Sequence, residues 1–156
     1  MAAMSDFLEN KLTDWLFRGQ AIGITGASAA AGTGPTSLYV ALLTAAPSDT
    51  GGGTEVTGGS YARVAVTSAL ANWAGTQAAA STIASSGSSG TTSNNGTVTF
   101  PAPTANWGSI THFGIYDAST AGNLLIYGAL TVAKTVNSGD AAPSFAAAAL
   151  TFQIDN

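Results

Sequence analysis

Two hydrophobic periods divide the chain, and the first of them lies near the N-terminus. In residues 6–18, large apolar side chains recur at spacings of three and four positions, which places them on one face of an α-helix. Ser5 or Asp6 is suited to begin this helix, and Gly19 is suited to end it in the left-handed conformation. The pattern predicts an amphipathic helix whose apolar stripe consists of Leu8, Leu12, Trp15 and Leu16.

The segment that follows the helix, residues 19–36, consists mainly of Gly, Ala, Ser and Thr with one proline. Side chains this small bury little surface, so the segment is predicted to be a flexible arm. We therefore divide the chain into an N-terminal helix and Gly/Ala/Ser-rich arm (1–36) and a β-sandwich body (37–156). Because a tethered amphipathic helix can dock on a neighbouring subunit, we expect the apolar stripe to bind a partner protein.

From Leu38 onward the hydrophobic period changes to two, which is typical of β-strands. The first strand is apolar at nearly every position and is expected to be buried on both faces. Further strands are predicted at 61–68, 97–100, 110–117, 124–130 and 148–154, each bounded by Gly, Pro, Asn, Asp or Ser.

The segments between these strands carry turn residues. Residues 47–60 contain five glycines and are predicted to be a surface loop, and residues 117–123 are predicted to connect an antiparallel hairpin. Asn95-Gly96, in the small-residue segment 75–97, predicts a tight turn in an edge hairpin. Short strands, glycine-rich turns and no alternating helices favour an all-β fold, an antiparallel β-sandwich or jelly roll or a short barrel, with one N-terminal helix.

Charged residues make up only 8% of the chain, against about 25% in an ordinary soluble domain. Four cationic residues are too few and too scattered to neutralise several phosphates, so nucleic-acid binding is not expected. Asp14 and Arg18 lie one helical turn apart and are predicted to form an exposed ion pair, for which a stabilisation of about 0.3 to 0.5 kcal/mol is usual. Arg63 is expected to face water or a carboxylate. The chain contains no cysteine. It also contains no run of about 18 apolar residues, so a membrane span is not expected.

Candidate chemistry is sparse. A catalytic triad would have to use His112, the single histidine, with Asp117 as its partner. Asp117, Asp140 and Asp155 lie in separate turns, so we expect turn capping rather than a metal site. Trp73 and Trp107 are candidate surface aromatics that could stack on sugars, although core packing is favoured. The sequence therefore predicts neither an enzyme nor a bound cofactor.

Several stretches resemble a group of small structural proteins of tailed bacteriophages. They are LYVALLTAAPSDTGGGTEVTGGSYARVAV at 38–66, ANWGSITHFGIYDASTAGNLLIYGAL at 105–130, the N-terminal SDFLENKLTDWLFRG and the closing TFQIDN. Members of that group are often labelled tail-fibre proteins, and small β-sandwich proteins of similar size also serve as capsid cement. The resemblance implies a structural component of the virion, assembled in the cytoplasm of the bacterial host.

Three hypotheses follow. The first is a capsid cement or decoration protein that clamps neighbouring copies of the major capsid protein, and it is favoured because two linked contacts, body and helix, raise avidity. The second is a tail component, either a fibre base or an adaptor, and the third is a carbohydrate-binding module. For the favoured hypothesis the expected partners are the major capsid protein or other virion proteins and further copies in a homo-oligomer, with neither nucleic acid nor membrane.

Overall fold

The computed structural model describes residues 4–23 and 34–154. Contacts divide the chain into two compact units, which we call the helix unit and the sheet unit. The helix unit contains the described residues of 1–37, 67–98 and 145–156, and the sheet unit contains 38–66 and 99–144. The central part of the predicted arm, residues 24–33, lies outside the described residues, so the predicted boundary after residue 36 stays a prediction.

One helix, α1 (Asp6–Arg18), and nine strands make up the described chain. The strands are β1 (Ser37–Ala45), β2 (Thr54–Glu55), β3 (Val64–Thr67), β4 (Thr91–Ser93), β5 (Val98–Thr99), β6 (Gly108–Tyr116), β7 (Leu124–Val136), β8 (Ser144–Phe145) and β9 (Thr151–Gln153). The pairings with a defined register are all antiparallel, which confirms the predicted all-β class with one N-terminal helix.

The largest sheet has the order β2-β1-β6-β7, and β3 also pairs with β1. As predicted, β1 is buried on both faces over most of its length, because it lies inside this sheet. The β6–β7 hairpin is also confirmed, and its turn is closed by Asp117, whose carboxylate accepts a hydrogen bond of 2.7 Å from the Asn123 backbone N–H. The Asn123 side chain also donates to this carboxylate, at 2.7 Å. The hydrogen bonds from the side chain and the backbone of Asn123 lower the pKa of Asp117.

The hairpin predicted at Asn95-Gly96 is wrong. The strands on either side of this turn do not pair with each other, since β4 pairs with β9 and β5 pairs with β8. The neighbouring Asn94 explains the change of partner, because its buried side chain donates to the Ala146 carbonyl and accepts from the Leu150 N–H. Asn94 therefore ties this segment to the C-terminal strand region. The additional strands β2, β4 and β8 are two or three residues long, too short to carry a recognisable period.

Each unit has an aromatic centre. In the helix unit, Phe17 of α1 contacts Trp73 and Phe152, with ring centroids 5.1 Å from each. In the sheet unit, Tyr61 contacts Phe100 and Trp107 at 6.2 and 5.4 Å. Such rings contribute strongly to a core because they bury large apolar areas.

Candidate interaction surfaces

The face of α1 that docks on the rest of the helix unit is largely polar. Its buried members are Glu9, Thr13, Asp14, Phe17 and Arg18. Only one of these five is a large apolar residue, so the apolar stripe is not the face that anchors the helix. Because hydrophobicity alone predicts the opposite orientation, the reason has to lie in specific polar contacts.

Arg18 supplies most of those contacts, and its side chain is completely buried. One terminal nitrogen lies 2.6 Å from the Asp14 carboxylate, and Nε donates to the Trp73 carbonyl at 3.1 Å. The other terminal nitrogen donates to the carbonyl oxygens of Ser81 and Ile83. The predicted Asp14–Arg18 pair therefore exists, but the prediction that it is exposed is wrong, because the 75–90 segment covers it.

The 75–90 segment is held along α1 from Asn10 to Arg18. Asp14 accepts hydrogen bonds from both the backbone N–H and the hydroxyl of Ser85, at 2.9 and 2.6 Å. One turn earlier, Asn10 donates to the Gly87 carbonyl at 2.9 Å and accepts from the Thr76 hydroxyl. A segment of small residues that resembles a flexible linker thus takes one conformation, because polar helix side chains satisfy its backbone groups.

The predicted partner-binding stripe lies on the other side of α1. Leu8, Leu12, Trp15 and Leu16 are all half-buried, while Phe7 beside them is 58% exposed. Its role in binding a partner stays a prediction. The chain also returns to this helix after the arm, since Gly34 packs so closely on the Trp15 carbonyl that a Cβ atom would lie 1.6 Å from that oxygen.

The placement of Trp73 and Trp107 as surface aromatics is wrong. Trp73 is fully buried and Trp107 is 5% exposed. Trp107 also donates its indole N–H to the Gly59 carbonyl at 3.0 Å, which directs the ring into the core of the sheet unit. Neither indole face is available to stack on a sugar, and core packing explains both residues.

The ion pair of Arg63 and Glu55 joins several segments of the sheet unit, and it was not predicted as a site from the sequence. Arg63 binds Glu55 through two parallel hydrogen bonds of 2.8 and 2.7 Å, and this bonding raises the pKa of the guanidinium. A third Arg63 nitrogen donates to the carbonyls of Ala118 and Ala121, both at 2.8 Å. The guanidinium carbon lies 3.6 Å from the ring centroid of Tyr116. The expectation that Arg63 faces a carboxylate is confirmed.

Beside this pair lies a pocket of about 370 Å³, lined partly by Glu55, Tyr61 and Arg63. Burial raises the pKa of Tyr61 above its usual range, and its hydroxyl donates to Glu55 and accepts from the Leu42 N–H. Four of the five guanidinium N–H donors of Arg63 are engaged within the protein. These groups therefore hold the hairpin turn next to β2, through Arg63 at the residue before β3.

The candidate catalytic residues His112 and Asp117 each bind a different local partner. His112 lies on β6, and its Nδ1 is 2.8 Å from the hydroxyl of the adjacent Thr111, whereas Asp117 caps the hairpin turn. Asp140 likewise caps a turn, by accepting from the Asn137 N–H at 2.8 Å. Among residues 4–23 and 34–154, no three His, Asp or Glu side chains lie close enough together to hold a metal ion. No helix in this part of the chain is long and apolar enough to span a membrane.

Comparison with known proteins identifies one family. Residues 3–153 match the family described as podophage GP4 fiber I protein gp80. No similar sequence was found among curated proteins. The match spans nearly the whole chain and includes both the helix unit and the sheet unit. The chain therefore belongs to the podophage GP4 fiber I protein gp80 family, a family of phage structural proteins.

Proposed function

We propose that this protein is a non-enzymatic component of a phage tail fibre or of its base, and that it acts by binding other virion proteins. The observation that carries the proposal is the family match over residues 3–153, which joins this fold to a fibre protein. The weak charge and the engaged polar groups support a role in assembly, since surfaces with few charges can meet without large desolvation costs.

The helix stripe is proposed as one contact surface of this component. The polar face of α1 is already fixed by Arg18 and Asp14, so its half-buried leucines and the exposed Phe7 are presented in a defined orientation. A preorganised apolar surface loses little conformational entropy when a partner binds. Leu8 and Leu12 are suitable contacts because they lie one turn apart on the stripe and are only half-buried.

The capsid-cement hypothesis loses its main physical support. It relied on a helix that leaves its own chain on a flexible arm, whereas the described helix packs on Trp73 and Phe152 of the same chain. The cement role stays an alternative prediction, and the copy number in the particle distinguishes it from a fibre. A fibre component should be present in tens of copies, and cement in hundreds.

Quantitative mass spectrometry of purified virions tests the proposal, together with gold labelling of an epitope-tagged chain. Tens of copies with label on the tail support a fibre component. Hundreds of copies with label over the head contradict it and favour cement, and absence from the virion contradicts any structural role.

The stripe is tested separately with an L8S/L12S variant. The matched control is I83S, which changes an exposed apolar side chain in the same unit but outside the helix. We expect the stripe variant to be folded but depleted from virions, and the control to be incorporated normally. Equal incorporation of both variants would remove the stripe as a contact surface.

A further inference from the structure

Strand β7 has one sheet edge without a partner among the described strands. It lies at the end of the β2-β1-β6-β7 order and contains 13 residues, which makes it the longest strand of the described chain. An edge strand presents a row of unpaired N–H and C=O groups that can pair with another strand. The length of this edge makes it the largest such surface in the described structure.

A bulge divides β7 into two parts. Ile110 pairs with Lys134 and His112 pairs with Ala129, so four β7 residues (130–133) lie opposite the single residue Thr111. Before the bulge, residues 124–129 follow β6 with an irregularity only near Tyr116. We call residues 124–129 the β7 edge segment.

The β7 edge segment lacks two of the features that usually protect a sheet edge, charged side chains and proline. Its sequence, LLIYGA, contains neither charge nor proline, and the only charged residue of β7 is Lys134 beyond the bulge. Leu125 and Tyr127 are 38% and 39% exposed, and Leu124 and Ile126 on the opposite face are only half-buried. A neutral apolar segment of this kind readily adds another strand.

A second copy of the chain is more readily bound at the edge of this segment than on its exposed face. Asp49 accepts a hydrogen bond of 3.0 Å from the Tyr127 hydroxyl, so a carboxylate and its loop occupy part of the face. The residues of the segment itself carry no charge, so no like-charged side chains lie opposite each other between the two paired strands. The small net charge of −4 also opposes association of whole copies only weakly.

Strand length indicates which element of the second copy is present at the contact. The opposite edge of the sheet is formed by β2 and β3, which have two and four residues. Neither covers a segment of six residues, about 20 Å long at 3.3 Å per residue. Residues 125–129 of another β7 cover it almost fully in a register centred on Tyr127, which places Leu125 of each copy opposite Ala129 of the other, and a two-fold axis then closes both edges at once.

We propose that the β7 edge segment pairs antiparallel with the β7 edge segment of a second copy, which joins two sheets into one. In this arrangement the exposed face of one copy continues into that of the other. Leu125 and Ala129 of both copies therefore lie on the same face of the joined sheet. The inference adds an assembly surface to the proposed function and does not depend on where in the virion the protein is located.

Sedimentation velocity of the full chain, over a wide range of concentration, tests this pairing with two variants, L125K/A129K and L125E/A129E. Each variant places like charges across the seam, and we expect the dissociation constant to rise about tenfold or more. Mixing the two variants should restore association, because opposite charges then meet. The control I83K adds a lysine at a side chain that is 66% exposed and lies in the other unit, and it should associate like the wild type.

Hydrogen exchange supplies a second measurement that needs no variant. Amides of residues 124–129 should become more protected as the concentration of the wild-type chain rises, while amides of β2 and β3 should not change. A wild-type chain that stays monomeric, association that survives both variants, or a mixture that fails to associate overturns the pairing. Detection of the protein in virions tests the proposed function independently of each of these results.

Discussion

Replacing Arg18 by methionine is the most informative perturbation of the helix unit. Methionine fills much of the same volume but removes the charge and every donor. The substitution therefore deletes the hydrogen bonds to Asp14, Ser85 and the carbonyls of the 75–90 segment while the aromatic contacts of Phe17 remain. Far more than one surface ion pair is lost.

The magnitude follows from what is left behind. Removing one partner of a buried ion pair costs about 3 to 5 kcal/mol, because the other charge remains buried without compensation. Asp14 keeps its bonds from the Ser85 N–H and hydroxyl, which places the expected loss near the lower limit. We expect the free energy of unfolding to fall by about 3 kcal/mol in R18M.

Urea unfolding followed by tryptophan fluorescence measures this loss. Trp73 is a suitable reporter because its carbonyl accepts a hydrogen bond from Arg18. The control is K11M, on the same helix, whose ammonium lies 5.8 Å from the Phe7 ring centroid and should contribute about 0.5 to 1 kcal/mol or less. A loss below about 1 kcal/mol in R18M, or a loss equal to that of K11M, would refute the conclusion that this network holds the helix.

Three further changes test other parts of the structure. Gly19→Ala should destabilise the protein more than Gly52→Ala in urea unfolding. Both residues have positive φ. A Cβ at Gly19 would lie 2.5 Å from the Ser68 carbonyl oxygen, whereas a Cβ at Gly52 would meet no atom within 4 Å. Trp107→Ala should lower the free energy of unfolding by about 3 to 5 kcal/mol, and a loss typical of a surface residue would contradict its burial. Burial raises the pKa of Tyr61, so the unfolded chain releases this proton first and stability should decline as the pH rises above about 10. Y61F should show a smaller decline in unfolding free energy across that range, and an unchanged pH slope would contradict the assignment.

Local signals in the sequence predicted the elements that depend on local physics. The predicted bounds of α1 agree with the structure because the apolar period stops just before Gly19, which ends the helix. Gly19 has the expected positive φ, 65°. The β6–β7 hairpin was predictable for the same reason, since Asp117 and Asn123 close its turn through their own side chains. A strand as apolar as β1 is stable only inside a sheet.

Polar residues in the helix unit were harder to interpret. The spacing of Asp14 and Arg18 predicts a pair, but it does not indicate what covers that pair. The covering segment, residues 75–90, has the composition of a linker, and only backbone carbonyls and a serine hydroxyl make it complementary to the helix. Composition contains no information about such contacts between residues far apart in sequence.

The sequence by itself determined the all-β class, the single amphipathic helix and the scarcity of catalytic groups. These depend on composition, hydrophobic period and turn residues, all of which act over short distances along the chain. The relationship to phage structural proteins was indicated by the resemblance of whole stretches of the chain. Only the tertiary structure decided that α1 docks through Arg18 rather than through its leucines, that Trp73 and Trp107 are buried, and that one edge of β7 has no partner among the described strands. Each of these depends on which distant segments come together, because burial and strand order are properties of the packed chain.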